Sequence, residues 1–195
     1  EGVSSSSLNE IFWPDKEEDK AKNLKGVSIS NLRKTLLELD GIRLVYDKGI
    51  FKIEIEDTLC FCDYFNLHIH LATHPQSCEY FLPIWERGKL LENIEHSLFD
   101  KYKQRSEDTI LSLLPKDLPV YYQHNEYRYV LRICFIILNR DPLNERALMY
   151  SVRCYKKMND FENLSKIYSA FIIEYRKSMG EDYTQTIEDL LQEES

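Results

Sequence analysis

Glycine and proline are scarce, six of each in 195 residues, too few for a collagen, a linker protein or a turn-rich β-sandwich. Long apolar runs are missing as well. The longest candidate, Val130–Leu138, is interrupted by Arg132 and falls far short of the roughly 20 residues that span a bilayer. No secretory hydrophobic region opens the chain. Five cysteines make an odd count without the spacing of a disulfide framework, so reduced thiols and a cytoplasmic location are expected. Catalytic signatures are absent too: there is no Gly-rich phosphate loop, no H-E-x-x-H and no G-x-S-x-G. The expectation is a protein that is not an enzyme and needs no cofactor.

What is present is an ordinary globular balance, 43% hydrophobic and 30% charged, with a formal net charge of −8. That charge is unevenly distributed. Between Lys20 and Lys52 eight Lys/Arg face only Glu38, Asp40 and Asp47, an excess of +5, so the remainder carries −13. A basic patch on an acidic body is a different object from a uniformly acidic protein.

The hydrophobic period divides the chain near residues 56 and 57. Residues 1–7 are polar and expected to fray, with Ser6 or Ser7 capping a short helix, Leu8–Trp13, that Pro14 stops. After a charged turn, a helix is expected over Asp19–Leu39. Ile29, Leu32, Leu36 and Leu39 form its buried stripe, and Val27, Asn31 and Lys34 lie on the opposite face. Ile42–Tyr46 and Ile50–Ile55 then read as strands of a hairpin turning at Asp47-Lys48-Gly49.

Beyond residue 57 only helices are expected: one from Asp63 to Ala72, a loop over Thr73–Ile84, and a helix Ile94–Leu114 punctuated by Pro115 and Pro119. Tyr121–Asn139, Glu145–Met158, Phe161–Met179 and a short Thr184–Gln192 follow. With Glu145 as first position of a repeat of about 34 residues, Leu148, Tyr155 and Tyr168 fall at large or aromatic sites, Leu164 replaces the usual small residue, and Pro142 ends the preceding unit. This pair resembles a tetratricopeptide repeat. Stacked helix pairs of that kind expose a concave face for protein partners.

Cys60, Cys62, His68, His70, His74 and Cys78 lie within nineteen residues and include the side chains that bind zinc. Their spacing is unsuitable: Cys-x-Cys is not a knuckle, and only His70 and His74 share a helical face. No metal site is expected.

Three segments carry a sharper resemblance. Glu10-Ile11-Phe12-Trp13-Pro14-Asp15, then Lys20-Ala21-Lys22-Asn23, then the run Val27–Leu36 resemble the winged helix-turn-helix of OmpR/PhoB-type regulators, in the branch of the antibiotic-regulatory (SARP) activators. There a tetratricopeptide-like bacterial transcriptional activator domain follows directly. Cys62–Phe65, Gly88–Leu91, Asp141–Leu148 and Thr184–Leu191 resemble it in the same order.

The resemblance implies a mainly α (α+β) fold: a partial winged helix-turn-helix over 1–56, with its strand hairpin as wing, and an α-helical tetratricopeptide-like domain over 57–195. It implies a bacterial regulator bound to double-stranded DNA, with the helical domain contributing homodimer contacts or meeting RNA polymerase or an upstream sensor module. Val27 would meet a thymine methyl and Asn31 a base edge, while Lys22, Lys25, Ser28, Ser30, Arg33 and Lys34 would hold phosphates. Lys48 would be the wing's contact, and Trp13 would lie near the DNA backbone or pack between the two helices. Two features depart from the family. Its opening strands and first helix have no counterpart here, so either they lie upstream of this sequence or the domain is incomplete. Its recognition helix is often Arg-rich where Ser30 and Asn31 stand. The alternative reading is an interaction scaffold without DNA binding of its own.

Overall fold

The computed structural model describes residues 2–56, 63–64 and 79–192. The chain divides into two compact units, Glu1–His70 and Leu71–Ser195. The expected boundary at 56/57 falls next to residues outside the described ones, as do the body of the expected Asp63–Ala72 helix and the entire Cys/His stretch. No helix among the described residues is long and apolar enough to cross a membrane.

The first unit opens with order where fraying was expected. Val3–Ser4 (β1) pairs antiparallel with the hairpin, Val3 opposite Phe51 and Ser4 opposite Ile50. Ser4, rather than Ser6 or Ser7, caps helix Ser5–Phe12 (α1), its hydroxyl accepting from the Ser7 amide at 3.0 Å. Pairing with a neighbouring strand supplies the order that composition alone withholds.

Glu18–Leu36 (α2) follows, ending three residues before the expected Leu39. Ile42–Asp47 (β2) and Ile50–Ile55 (β3) then form the expected hairpin, with Asp47 paired to Ile50 rather than in the turn, giving a three-stranded antiparallel sheet of order β1-β3-β2. The two loop residues Lys48 and Gly49 have φ of 46° and 83°, the double positive φ of the turn that matches strand twist.

The expected buried stripe of α2 is corrected. Ile29 and Leu36 are half-buried, Leu32 is 37% exposed and Leu39, beyond the helix, is 50% exposed. Ala21 is the only fully buried residue of α2. Among the described residues α2 packs mainly on α1 and β2, too little surface to cover a full helical stripe.

The second unit holds the main core. A helical turn over Glu79–Phe81 leads into Leu82–Trp85 (α3); Phe81 and Leu82 are buried where a loop was expected, and Trp85 just beyond it is buried too. Ser97–Gln123 (α4), Tyr127–Arg140 (α5), Glu145–Lys157 (α6), Phe161–Met179 (α7) and Ile187–Leu191 (α8) complete it. Helix α6 is central, packing on α4, α5, α7 and α8.

Helix α4 corrects the reading of Pro115 and Pro119 as stops, for it continues through both to Gln123. Each interior proline costs about 3 kcal/mol in a free helix. Opposing that, Ile110, Leu114 and Leu118 recur every fourth residue and are fully buried. Three such side chains contribute about 1.5–3 kcal/mol each, a sum of the same order as the cost of the two prolines. The prolines are themselves four apart, so their missing donors fall on one stripe of the helix. The break comes instead at Asn125, with φ of 61°.

Arg140 joins three segments. Its side chain is 2% exposed and pairs with Glu107 of α4, Nε to Oε2, at 3.3 Å. One terminal nitrogen donates to the Trp85 and Gly88 carbonyls at 3.0 and 2.9 Å, the other to Ile136 O at 3.1 Å. Gly88, at φ of 131°, turns the chain in a conformation that side-chain-bearing residues rarely adopt. Burial pulls the guanidinium below its ordinary pKa, and the Glu107 carboxylate opposes that.

Cys134 and Cys154 are buried in the same core. Burial pushes both thiols up to about 12, and the Ser151 hydroxyl partly opposes this at Cys134.

Two predictions follow from this packing. Arg140→Ala leaves the Glu107 carboxylate without its buried partner and removes the donor that ties α5 to the turn after α3, so urea unfolding of the second unit is expected to show a loss of about 3–5 kcal/mol. Thiols held protonated by burial favour the folded state below the free-thiol pKa. This contribution is lost as pH rises from the free-thiol range toward about 12. Melting temperature is therefore expected to fall on that alkaline side, and less so in Cys134→Ala.

A candidate nucleic-acid interface on the second helix

Helix α2 positions most of the candidate residues, and its two faces separate them. The side turned to α1 and the sheet carries Ala21, Lys25, Ile29 and Leu36. Opposite, at spacings of three and four, lie Lys20, Asn23, Val27, Asn31 and Lys34, all exposed, Val27 at 61%. Ser30 is exposed on this face, while Lys22 and Arg33 are exposed on one flank and Ser28 on the other. The arrangement therefore brings Val27, Ser30, Asn31 and Lys34 together.

Lys20 and Asn23 belong to that outward face and were not among the residues singled out from sequence. The signal was available, since both keep the three- and four-residue spacing with Val27. Lys20 is engaged by Glu17 at 2.9 Å, but both side chains are well exposed, so the pair is weak and easily exchanged for another anion.

Lys25 stands apart. Its ammonium donates to the Ser5 hydroxyl at 2.5 Å and to the Ser5 carbonyl at 3.2 Å. This lysine ties α2 to the start of α1, and its charge is spent inside the unit. The Ser4 hydroxyl lies 2.9 Å from that of Ser6 and 2.8 Å from that of Ser7, so the serine run forms a local hydrogen-bonded cap.

The hairpin adds Lys48 at its tip, exposed and in the left-handed region. Holding a non-glycine residue there costs on the order of 1 kcal/mol. At the end of the hairpin away from Lys48, Arg43 and Glu54 form an exposed cross-strand pair at 2.8 Å. Trp13 is half-buried and lies beside Phe12, ring centroids 5.8 Å apart, which fits a packing role.

Chemically this surface presents two ammonium groups, two carboxamides, a hydroxyl and an aliphatic knob on one ridge. Amide and ammonium groups of this kind read base edges and phosphates when a helix enters the major groove. Among the described residues no group of three or more His, Cys, Asp or Glu is placed to hold a metal ion; the six Cys/His positions weighed above lie outside them. No family model, no curated protein and no solved structure matches this chain.

The two kinds of lysine are separable by experiment. Lys25→Ala is expected to lower the melting temperature of the first unit, since it deletes a charged donor worth about 1.5–3 kcal/mol. Lys34→Ala, on the outward face, is expected to leave it unchanged within about 0.5 kcal/mol. Circular dichroism melts of the two variants make the comparison.

Proposed function

We propose that the chain is a bacterial DNA-binding transcriptional regulator of the cytoplasm: a partial winged helix-turn-helix joined to a tetratricopeptide-like helical domain. In this reading α2 enters the major groove with Val27, Asn31 and Lys34 toward the bases. Lys22, Ser28, Ser30, Arg33 and Lys34 hold phosphates, and Lys48 reaches the adjacent groove from the wing. Lys20 and Asn23 extend the contact line. Lys25 acts indirectly, by fixing α1 against α2. The helical domain contributes homodimer contacts, which would pair half-sites, or receives RNA polymerase or an upstream sensor module. No catalytic step and no cofactor is involved.

The observation that carries this reading is the outward ridge of α2. It presents Lys20, Asn23, Asn31 and Lys34 around an exposed Val27, directly before a hairpin tipped by a lysine. The same segments are those whose residues resemble the regulator family. A second reading rests on a different observation: among the described residues nearly every buried side chain belongs to the helical unit. On that view the helices form a protein-interaction scaffold and the first unit binds no DNA.

Titration of the full natural chain against mixed double-stranded fragments over a range of salt distinguishes the two. Enrichment of a short repeated site is expected, with Asn31→Ala losing about 1–3 kcal/mol of discrimination at one base. Lys34→Ala is expected to weaken all sequences alike and reduce the salt slope by about 1. A salt-sensitive affinity without selectivity reduces the ridge to a basic patch. No binding at low salt overturns the regulator reading and leaves the scaffold.

A further inference from the structure

Strand β2 is a free margin of the sheet. The order β1-β3-β2 leaves it with a single strand neighbour among the described residues. Its ladder with β3 runs from Ile42–Ile55 to Asp47–Ile50 without a bulge, and it holds no proline or lysine. Bulges, prolines and lysines are the common devices that keep a second strand off such an edge. The only charges on β2 are Arg43 and Asp47. The alternation of the ladder says which groups the edge offers. The Glu56 amide donates to Gly41 O at 2.7 Å, and every second residue from Gly41 shares that inward pattern. Arg43, Val45 and Asp47 therefore bond to β3, while the amides and carbonyls of Ile42, Leu44 and Tyr46 point outward.

Two features of β2 fit a second β2 rather than an unrelated strand. The first is charge. Arg43 and Asp47 are exposed, share one face of the sheet, differ in sign and stand equally far from Val45. Two antiparallel copies related by a two-fold axis at Val45 set Arg43 of each opposite Asp47 of the other. In that register Leu44 meets Tyr46 across the axis, so outward groups face outward groups and exchange both main-chain bonds. The charged residues then occupy non-hydrogen-bonded pairs, where side chains approach most closely. A slip of one residue sets inward groups against outward ones, and a slip of two removes the direct charge pairs. The second feature is the opposite face. Tyr46 and Ile53 are 51% and 53% exposed, and the Tyr46 ring lies 4.5 Å from that of Phe51, centroid to centroid. Leu44 of a second copy beside Tyr46 continues this apolar strip across the axis.

We propose that two copies of this chain associate through β2, antiparallel about Val45, into one continuous sheet. Arg43 then lies between Glu54 of its own hairpin and Asp47 of the other copy. Exposed ion pairs contribute little energy, but they select the register and exclude arrangements that oppose like charges. The contact belongs to the first unit, needs no DNA and does not rest on the regulator reading.

Sedimentation velocity of the full chain, without DNA, tests it. The wild type is expected to dimerise reversibly as its concentration rises. Arg43→Glu and Asp47→Lys each oppose like charges at both ends of the contact, and each is expected to weaken self-association about tenfold or more. Mixed in equal amounts, the two variants restore both opposite-charge pairs, and dimerisation is expected to return to the wild-type level. The proposal is overturned by a wild type that stays monomeric, by a dimer indifferent to both substitutions, or by a mixture no stronger than its components. Should a charge variant unfold, Val45→Cys decides. Its two thiols meet at the axis with Cα atoms about 4.5 Å apart, within disulfide reach. Air oxidation is expected to give a covalent dimer well above the wild-type level, and a variant that links no more than the wild type sinks the proposal.

Discussion

A single guanidinium sets the geometry of the helical unit. Arg140 stands at the end of α5, and from it hydrogen bonds run to the turn after α3 and back along its own helix, with the ion pair to α4 closing the set. A buried cation of this kind does not by itself stabilise much, because desolvation consumes most of its attraction. Its contribution is directional. Apolar contacts among α3, α4 and α5 would tolerate some sliding, whereas a planar donor set fits one placement of Trp85 and Gly88. The pairing is incomplete: Oε1 of Glu107 and Nε of Arg140 are buried without a hydrogen bond. The site specifies position at some expense of energy. A second arginine on the same helix, Arg132, repeats the link nearer the surface through two bonds to Glu86 at 2.6 and 2.9 Å, which hold the Glu86 carboxyl below its ordinary range.

The two units contrast in how they are held. In the helical unit the ordinary solution applies, apolar stripes from several helices closing on one another around α6. In the first unit the apolar side chains outnumber the surface available to bury them: Leu24, Val27, Leu32, Leu37 and Leu39 are all exposed. Its cohesion comes instead from directional contacts, the β1–β3 pairing, the Ser4 cap and the Lys25–Ser5 bonds. Among the described residues these polar contacts are local and leave the outward ridge of α2 unengaged, apart from the weak Lys20–Glu17 pair.

Much of this was legible in the sequence. Local rules suffice where local chemistry decides. Asn144 and Asp160 cap α6 and α7 within a residue of the expected starts, and the hairpin follows from Gly49 and flanking β-branched residues. The face bearing Val27, Asn31 and Lys34 follows from helical spacing alone. Where distant contacts decide, local rules mislead. Residues 1–7 look disordered until β3 is there to pair with, and Thr73–Ile84 reads as loop although Phe81 and Leu82 are fully buried. Lys25 reads as a phosphate anchor, since nothing nearby in sequence announces that Ser5, twenty residues earlier, will occupy its ammonium. Residues 185–192 show only a capped short helix, and their anchors Arg153 and Tyr168 stand on other elements.

The passage of α4 through two prolines bears on the order in which the protein assembles. A segment carrying Pro115 and Pro119 has little helical population by itself, because nucleation is already unfavourable and both interior positions oppose propagation. It becomes a helix only against a surface that compensates for them. That surface is α5 with α6, two helices joined by a connection of only four residues, with strong apolar periodicity and sound local signals. Adjacent helices of this kind close their contacts over short stretches of chain and come together early, while a helix dependent on them follows. The prolines thus make α4 a late element, templated by its neighbours, and keep a long amphipathic helix from forming alone and pairing wrongly before its proper surface exists.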